Sequence, residues 1–314
     1  MNVVVTDIRA VAKDVVAVQL RAEDGGSLPT FTAGSHIDVA LTDSLVRQYS
    51  IFNSPLEGDR YCIGVLLSPT SRGGSIAVHR LKLGDKVAIS PPKNHFPLVQ
   101  DGQYSLLIAG GIGITPILSM ATQLHESGRP FHLYYSARDH ERMAFKDLIE
   151  SVAWRDNVTL HFSSLGGSRL DLATILANPR QDAHVYVCGP NELIDAVVAT
   201  ADSLGWAGAN VHRERFSAEV VHAETDHEFV VELSNSGKRV TVPKNQSIAQ
   251  ALRSNGVAVP TSCEQGLCGT CLTGLKGGVA DHRDEYLTDE EKREGKQILL
   301  CCSRAISDTL ILDM

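Results

Sequence analysis

The chain lacks the features that mark several other classes of protein. No apolar run in its 314 residues approaches the roughly 20 residues of a membrane-spanning helix. The first residues carry neither a basic segment nor a leader-like apolar stretch, so we expect a cytoplasmic protein that does not bind membranes. No P-loop or GxSxG elbow is present, and none of the 12 histidines pairs with another at convincing metal-ligand spacing. A formal net charge of −8 argues against nucleic acid as a partner.

Cysteine is also sparse, because seven in 314 residues are too few, and odd in number, for a disulfide framework. Four of them nevertheless follow a pattern. Cys263, Cys268 and Cys271 give Cx4CxxC, and Cys301 follows after 29 further residues. This is the ligand spacing of a plant-type [2Fe–2S] cluster. A zinc site would pair CxxC with a second CxxC or with nearby histidines, and neither is present.

The loop that carries three of these cysteines contains Gly266 and Gly269, which permit positive φ and a close approach of backbone N–H groups to sulfur. Cys302 neighbours Cys301, but only Cys301 gives the 29-residue gap, so we expect Cys302 to be a buried thiol. The acidic stretch at 281–294 is interpreted as a solvated face that could also contribute to docking of a partner.

Hydrophobic patterns divide the chain into three predicted domains. Residues 1–100 contain short β-branched runs punctuated by glycine and proline, which is typical of an antiparallel β-barrel. Strands then alternate with helices over residues 101–222, which indicates a doubly wound parallel α/β domain. Residues 223–314 predict a small α+β domain that carries the cysteine loop. An acidic stretch without Lys or Arg, residues 217–228, is the expected linker.

A tetrapeptide at the end of a predicted barrel strand suits a phosphorylated aromatic cofactor. Residues 47–50 read Arg47-Gln48-Tyr49-Ser50, and strand alternation points Arg47 and Tyr49 to one face. A guanidinium binds phosphate through paired hydrogen bonds, and a tyrosine ring can lie against a flat aromatic group.

A second candidate phosphate motif lies before a helix predicted at 76–81. Its residues are Arg72-Gly73-Gly74-Ser75, and glycines before a helix expose N–H groups to an anion. The alternative is a simple helix cap, which Ser75 would serve equally well.

Two glycine turns follow strands of the predicted α/β domain. The first, Gly110-Gly111-Ile112-Gly113-Ile114-Thr115-Pro116, is not a GxGxxG fingerprint, because Pro116 takes the place of the third glycine. It still joins a strand to a helix, where a pyrophosphate could rest on the helix N-terminus. The second turn is Cys188-Gly189-Pro190. Each could be purely structural, but two such turns at the carboxyl ends of parallel strands favour a nucleotide site.

Two single residues extend these sites. Arg138 follows a strand predicted at 131–136, where an arginine could meet a 2′-phosphate, whereas Asp139 beside it could accept hydrogen bonds from ribose hydroxyls. Phe216, just before the linker, is interpreted either as a core anchor or as a residue near a flavin ring.

Six motifs in this order resemble the phthalate dioxygenase reductase family, which includes vanillate O-demethylase reductases. They are RxYS at 47–50, RGGS at 72–75, GGxGxTP at 110–116, CGP at 188–190, CEQGxCGTC at 263–271 and CxSRA at 301–305. The similarity covers essentially the whole chain. Cys302 departs from the branched aliphatic residue that we expect at this position of the family.

The resemblance implies FMN on the barrel, NADH on the doubly wound domain and a [2Fe–2S] cluster in a β-grasp ferredoxin domain. The candidate flavin residues are Arg47, Gln48, Tyr49, Ser50, Arg72, Gly73, Gly74 and Ser75. The candidate nucleotide residues are Gly111, Gly113, Thr115, Pro116, Arg138, Cys188, Gly189 and Pro190, with Phe216 beside the isoalloxazine. The candidate metal ligands are Cys263, Cys268, Cys271 and Cys301.

By this resemblance, we expect an NADH-dependent oxidoreductase that passes electrons through FMN and the cluster to the Rieske centre of a separate terminal oxygenase. We also expect a monomer, and no dominant acid–base residue, because the cofactors carry the chemistry. Two alternatives stay open: an FAD-containing reductase of a non-Rieske monooxygenase, and a redox-sensing iron–sulfur flavoprotein without turnover.

Overall fold

Two units, Met1–Phe216 and Ser217–Met314, make up the structure, which is a computed structural model. It describes residues 1–42, 45–100, 102–164, 169–217 and 226–314. The expected linker at 217–228 therefore lies mostly outside the described residues. Among the helices in these ranges, none combines the length and the apolar character that crossing a membrane requires.

An antiparallel β-barrel forms the first part of the first unit, as predicted. Its elements are β1 (Asn2–Ala12), β2 (Val15–Ala22), β3 (Ser35–Thr42), β4 (Leu45–Ser50), β5 (Tyr61–Leu66), helix α1 (Gly74–His79), β6 (Lys86–Ile89) and β7 (Lys93–Asn94). The sheet runs β4-β3-β6-β1-β2-β5, with β7 paired to β3. An antiparallel bridge between Ile51 and Ile63 joins its two edges. Both of these side chains are buried in the barrel core.

A parallel sheet of doubly wound topology completes this unit. Its elements are β8 (Tyr104–Gly110), α2 (Ile114–Glu126), β9 (Phe131–Ala137), α3 (Lys146–Ser151), β10 (Val158–Phe162), α4 (Leu172–Ile175), β11 (Ala183–Cys188), α5 (Asn191–Ser203) and β12 (Val211–Glu214). The order β10-β9-β8-β11-β12 reverses direction between β8 and β11. Ligands of such sheets bind at this switch point, at the carboxyl ends of the strands.

Helix α2 fixes this switch point against the barrel. The Ser119 hydroxyl donates to the carbonyl of Asn53 at 3.0 Å, and the Ser54 hydroxyl donates to the Glu126 carboxylate at 2.8 Å. Because α2 begins in the first glycine turn, these bonds also hold that turn at a fixed place beside the barrel.

The second unit is a β-grasp fold, a mixed sheet crossed by one helix. Its elements are β13 (Phe229–Leu233), β14 (Arg239–Val242), α6 (Ile248–Ser254), β15 (Leu272–Gly277), β16 (Ala280–Asp281), α7 (Asp289–Glu294), β17 (Gln297–Leu299), β18 (Arg304–Ala305) and β19 (Thr309–Leu312). The main sheet runs β14-β13-β19-β15-β17, and β13 and β19 are parallel. Ile248 and Leu252 of α6 are fully buried in its core.

Arg304 joins distant segments of this second unit. Its guanidinium donates to the carbonyl oxygens of Gln246, His227 and Pro243 at 2.7, 2.8 and 3.2 Å. It also lies 5.2 Å from the centre of the Phe229 ring. Only a planar fork of five donors can serve several acceptors in this way, so lysine is not an equivalent residue here.

We expect Arg304→Lys to lower the free energy of unfolding of this unit by about 2 kcal/mol or more, because buried carbonyls lose their donors. Urea unfolding of the full chain, followed by circular dichroism, measures the change. Arg239→Lys is the matched control, since the Arg239 side chain is 62% exposed and lies 3.8 Å from Glu232. Its effect should stay within about 0.5 kcal/mol. Equal losses in the two variants would contradict the role given to Arg304.

Candidate functional site

Four cysteine thiols converge in the second unit. Cys263, Cys268 and Cys271 lie on the loop between α6 and β15, and Cys301 follows β17. The thiol of Cys263 is in hydrogen-bond contact with those of Cys268 and Cys301, and Cys271 is in contact with Cys301. Hydrogen bonds from Cys268 and Cys301 lower the pKa of Cys263, which favours its thiolate. The structure thus brings all four predicted ligands together.

The backbone of the loop is arranged around sulfur. The N–H groups of Gln265 and Leu267 both donate to Cys263 Sγ at 3.4 Å. Gly266 has a φ of 78°, and a Cβ at this residue would lie 2.6 Å from Cys302 Sγ. Glu264 takes a left-handed φ of 56°, which a residue with a side chain adopts only under constraint.

These residues fit a [2Fe–2S] cluster. Within the described ranges, no three His, Cys, Asp or Glu side chains surround a single metal position. A binuclear cluster with four cysteine ligands needs only two thiolates for each iron. The contacts between Cys263 and Cys268, and between Cys271 and Cys301, supply two such pairs.

Cys301 and Cys302 have different surroundings. The thiol of Cys301 contacts those of Cys263, Cys271 and Cys302. Cys302 Sγ also lies 3.8 Å from the Ser303 hydroxyl and packs against Gly266, and Cys302 is not among the groups that lower the pKa of Cys263. Cys302 is buried, as predicted from the spacing. The geometry therefore favours Cys301 as the fourth ligand.

Arg47 brings the two candidate flavin motifs into contact. Its Nη2 donates to the carbonyl of Arg72 at 3.2 Å, and a Cβ on Gly74 would lie 2.5 Å from Arg47 Cγ. Tyr49 is half-buried, and desolvation raises its pKa to about 12. Gln48 points elsewhere, because its amide donates to Asp38 at 2.9 Å.

Helix α1 begins earlier than predicted, at Gly74 rather than at residue 76. Gly73, at its N-cap, has a φ of 92°, which lets the chain turn directly into the helix. No side chain caps α1, and the Ser75 hydroxyl donates to Ser71 Oγ at 2.9 Å. The helix-cap alternative for Ser75 is therefore wrong.

The two glycine turns of the parallel sheet touch each other at the switch point. A Cβ on Gly113 would lie 2.4 Å from the carbonyl oxygen of Cys188 and 2.6 Å from the amide nitrogen of Gly189. A Cβ on Gly110 would lie 2.7 Å from Pro190 Cδ. Only glycine permits this approach, which places both predicted nucleotide motifs side by side.

The remaining residues of the first turn differ in their surroundings. Gly111 has a φ of 53° and open space where a Cβ would stand. Thr115 and Pro116 are buried in the first turn of α2. The Thr115 hydroxyl donates to the carbonyl of Ile112 at 3.1 Å, and its methyl group faces Gly64 of the barrel.

Arg138 and Asp139 follow β9 at the carboxyl edge of the sheet. Arg138 is exposed, whereas the Asp139 carboxylate accepts the N–H of Arg142 at 3.0 Å and pairs with its guanidinium. Asp139 is thus engaged in a local turn. Phe216 is the last residue of the first unit, and 42% of it is exposed.

Glu214 is a candidate that the sequence did not reveal. It ends β12, pairs in register with Cys188, and shares a hydrogen bond with the Ser50 hydroxyl. Although the residue as a whole is partly exposed, its Oε2 is buried and has no hydrogen-bond partner among the residues that the structure describes. Burial raises the pKa of Glu214 to about 8, so the carboxyl holds a proton at neutral pH. Burial also raises the pKa of the Cys188 thiol beside it.

Taken together, a barrel with an arginine–tyrosine motif, a doubly wound sheet with two touching turns and a four-cysteine β-grasp unit define an iron–sulfur flavoprotein reductase. Family comparison supports this class. Residues 231–305 match the 2Fe-2S iron-sulfur cluster binding domain, and residues 87–211 match the dimethylamine monooxygenase subunit DmmA-like N-terminal domain.

Relatives with full-length similarity identify the family. Vanillate O-demethylase oxidoreductase from Pseudomonas sp. (strain HR199 / DSM 7063) is 44% identical over 316 residues, which are 100% of both chains. Phthalate dioxygenase reductase from Burkholderia cepacia is 42% identical over 97% of this chain and 94% of that one. The chain belongs to the phthalate dioxygenase reductase family.

Solved structures agree with this assignment. The structure of phthalate dioxygenase reductase, described as modular for electron transfer from pyridine nucleotides to [2Fe-2S], aligns with a TM-score of 0.79 at 40% identity, covering 100% of this chain and 98% of that one. An intact type IV self-sufficient cytochrome P450 monooxygenase aligns over 100% of this chain with a TM-score of 0.86 at 35% identity. This chain corresponds to 41% of that longer protein.

Glu214→Gln is expected to stabilise the flavin-free protein at pH 8 and to change its stability little near pH 5. The native carboxyl binds its proton more tightly when folded, so its contribution to stability is lost as pH rises from about 4.5 to about 8. Glutamine cannot ionise and escapes this loss. Urea midpoints across this pH range measure the difference. Glu150→Gln, at an exposed carboxylate, is the control, and a difference independent of pH would contradict the assignment.

Gly113→Ala is expected to raise the KM for NADH about tenfold or more, because the added methyl group forces the two turns apart. Steady-state reduction of an artificial electron acceptor measures this KM. Gly208→Ala serves as the control, since a Cβ there meets nothing within 4 Å. An unchanged KM in Gly113→Ala would show that contact between the turns is not needed for nucleotide binding.

Proposed function

We propose that this chain is the reductase component of a Rieske-type oxygenase system and passes electrons from NADH through FMN and a [2Fe–2S] cluster to the oxygenase. The convergence of Cys263, Cys268, Cys271 and Cys301 carries this proposal, because a one-electron centre is needed only where electrons leave singly. Plant-type clusters lie near about −400 mV and Rieske centres at about −150 to +300 mV, so the transfer runs downhill.

The names of the relatives support an oxygenase as the electron acceptor. They include a vanillate O-demethylase oxidoreductase, a phthalate dioxygenase reductase and a phthalate 4,5-dioxygenase oxygenase reductase subunit. We place this reductase in the cytoplasm, where cysteines that form no disulfide stay reduced, as a monomer that meets a separate oxygenase.

In the barrel, the chain's own residues bind and orient the flavin. When bound, FMN accepts two electrons as a hydride and releases them one at a time, which no side chain can do. Arg47 binds the phosphate together with the backbone of Arg72, Gly73, Gly74 and Ser75. The Tyr49 ring would hold the flat flavin ring, while Gln48 would take part through its backbone, because its side chain is engaged by Asp38.

A protonated Glu214 gives the barrel edge a proton donor. Its carboxyl shares a hydrogen bond with Ser50, the last residue of the RxYS motif. At neutral pH it holds its proton at the place where β4 and β12 meet. We propose that Ser50 and Glu214 together hold a proton that could pass to a bound flavin on its reduction, and that solvent would then return a proton to the Glu214 carboxylate.

In the parallel sheet, the two touching turns bind the nucleotide. Gly111, Gly113 and Thr115 line the first turn and Pro116 starts the helix behind it, while Cys188, Gly189 and Pro190 form the second. The Cys188 thiol stays neutral because burial raises its pKa. Phe216 would help to hold the flavin ring, and Arg138 would help to hold the adenosine end of the nucleotide.

Anaerobic titration with NADH tests the proposal. We expect about one equivalent of NADH to bleach the flavin band, and further NADH to bleach the visible cluster bands with a rhombic EPR signal. NADPH should reduce the protein more slowly, and chromatography of the acid-released flavin should identify FMN. Flavin bleaching without loss of the cluster bands would overturn the proposed electron path.

Two neighbouring cysteines provide matched variants for this titration. Cys301→Ser should lose the cluster while its flavin is still reduced by NADH, because one of four thiolates is missing. Cys302→Ser should keep both responses, since Cys302 Sγ faces Ser303 and Gly266. Loss of the cluster in Cys302→Ser alone would make Cys302 the ligand.

A further inference from the structure

A buried carboxylate lies directly behind the cysteine loop. The Asp284 side chain is fully buried, in the middle of the acidic stretch that the sequence suggested was solvated. Its Oδ2 accepts the N–H of Leu287 at 2.8 Å, and its Oδ1 accepts the Ser303 hydroxyl at 3.4 Å. Removing a charged group from water costs free energy, so we looked for a role that this buried acid could have.

Asp284 packs on the segment that holds the first two ligands. A Cβ on Gly266 would lie 3.0 Å from Asp284 Cα, and the amide of Glu285 donates to the carbonyl of Gly266 at 3.2 Å. Gly266 stands between Cys263 and Cys268. The backbone at Asp284 thus packs against the cysteine loop.

The same carboxylate also reaches the segment that carries the fourth ligand. Ser303, which donates to Asp284, lies two residues after Cys301 and 3.8 Å from Cys302 Sγ. The Cys302 side chain also packs against Gly266. Asp284, Ser303 and Cys302 therefore form one buried layer, the Asp284 layer, which contacts both ligand-bearing segments.

Two side chains that can carry a positive charge, Lys292 and His282, lie near the Asp284 carboxylate. Lys292 Nζ of helix α7 lies 4.0 Å from Asp284 Oδ2 and donates to its backbone carbonyl. His282 Nδ1 lies 3.6 Å from Oδ1. Arg283 turns away to pair with Asp226 and Asp281. Substitutions at Asp284 and at Lys292, which is partly exposed, thus remove charges of opposite sign from the same place.

We propose that Asp284 sets the reduction potential of the cluster, which it holds low. Reduction adds one electron and makes the cluster more negative, so a buried negative charge nearby opposes it. Lys292 partly offsets this charge and acts in the opposite direction. The inference rests on the proposed function only in requiring that the four cysteines bind the cluster.

An EPR-monitored redox titration of the full protein tests this inference. At a fixed potential, Asp284→Asn should raise the ratio of reduced to oxidised cluster about tenfold, which is a shift of about 59 mV for one electron. Lys292→Met should lower that ratio. Asp289→Asn is the matched control, since Asp289 is an exposed carboxylate of the same unit, and should leave the ratio unchanged.

The signs of the two shifts in reduction potential decide whether the inference holds. An unshifted potential in both variants, or a shift of the same sign in both, would overturn the role of Asp284. If Asp284→Asn loses the cluster, the Lys292→Met titration decides alone, and an unshifted potential there overturns the inference. Absence of the EPR signal from the native protein would instead defeat the proposed function itself.

Discussion

Four thiols must meet at one place although 29 residues separate the third from the fourth, and the second unit is built around this constraint. The antiparallel pairing of β15 with β17 closes the gap. Leu272 lies opposite Leu299 in this ladder, and the amide of Leu300 donates to the carbonyl of Cys271 at 3.3 Å. A sheet register, rather than loop length, therefore brings Cys301 to Cys271.

Strand register also brings the functional segments together in the first unit. In the parallel pair of β8 and β11, Cys188 lies opposite Ala109, so both strands end at the same level and their turns meet. Gly110, Gly113 and Gly189 then lack the Cβ atoms that would hold the turns apart. In each unit, local motifs contain the chemical groups, and strand pairing positions these groups close to one another.

This division between local motifs and strand pairing explains which features can be predicted from the sequence. Cysteine spacing identifies the cluster ligands, and the alternation of strands and helices identifies the barrel and the doubly wound sheet. Glu214 was missed because β12 reads Val-His-Arg-Glu and has no apolar run to indicate a strand. Asp284 was misread as solvated because its burial depends on Gly266 and Ser303, which are distant in sequence.

The two buried carboxyls have different surroundings. Glu214 shares a hydrogen bond with the Ser50 hydroxyl, but burial outweighs this bond and favours the neutral acid. Asp284 accepts two hydrogen bonds and lies near Lys292, and these contacts compensate a negative charge. Each acid also lies beside a different cofactor motif, because Glu214 contacts the last residue of the RxYS motif and Asp284 packs on Gly266 of the cysteine loop. The same residue type therefore serves a proton-holding role in one unit and an electrostatic role in the other, and its contacts decide which.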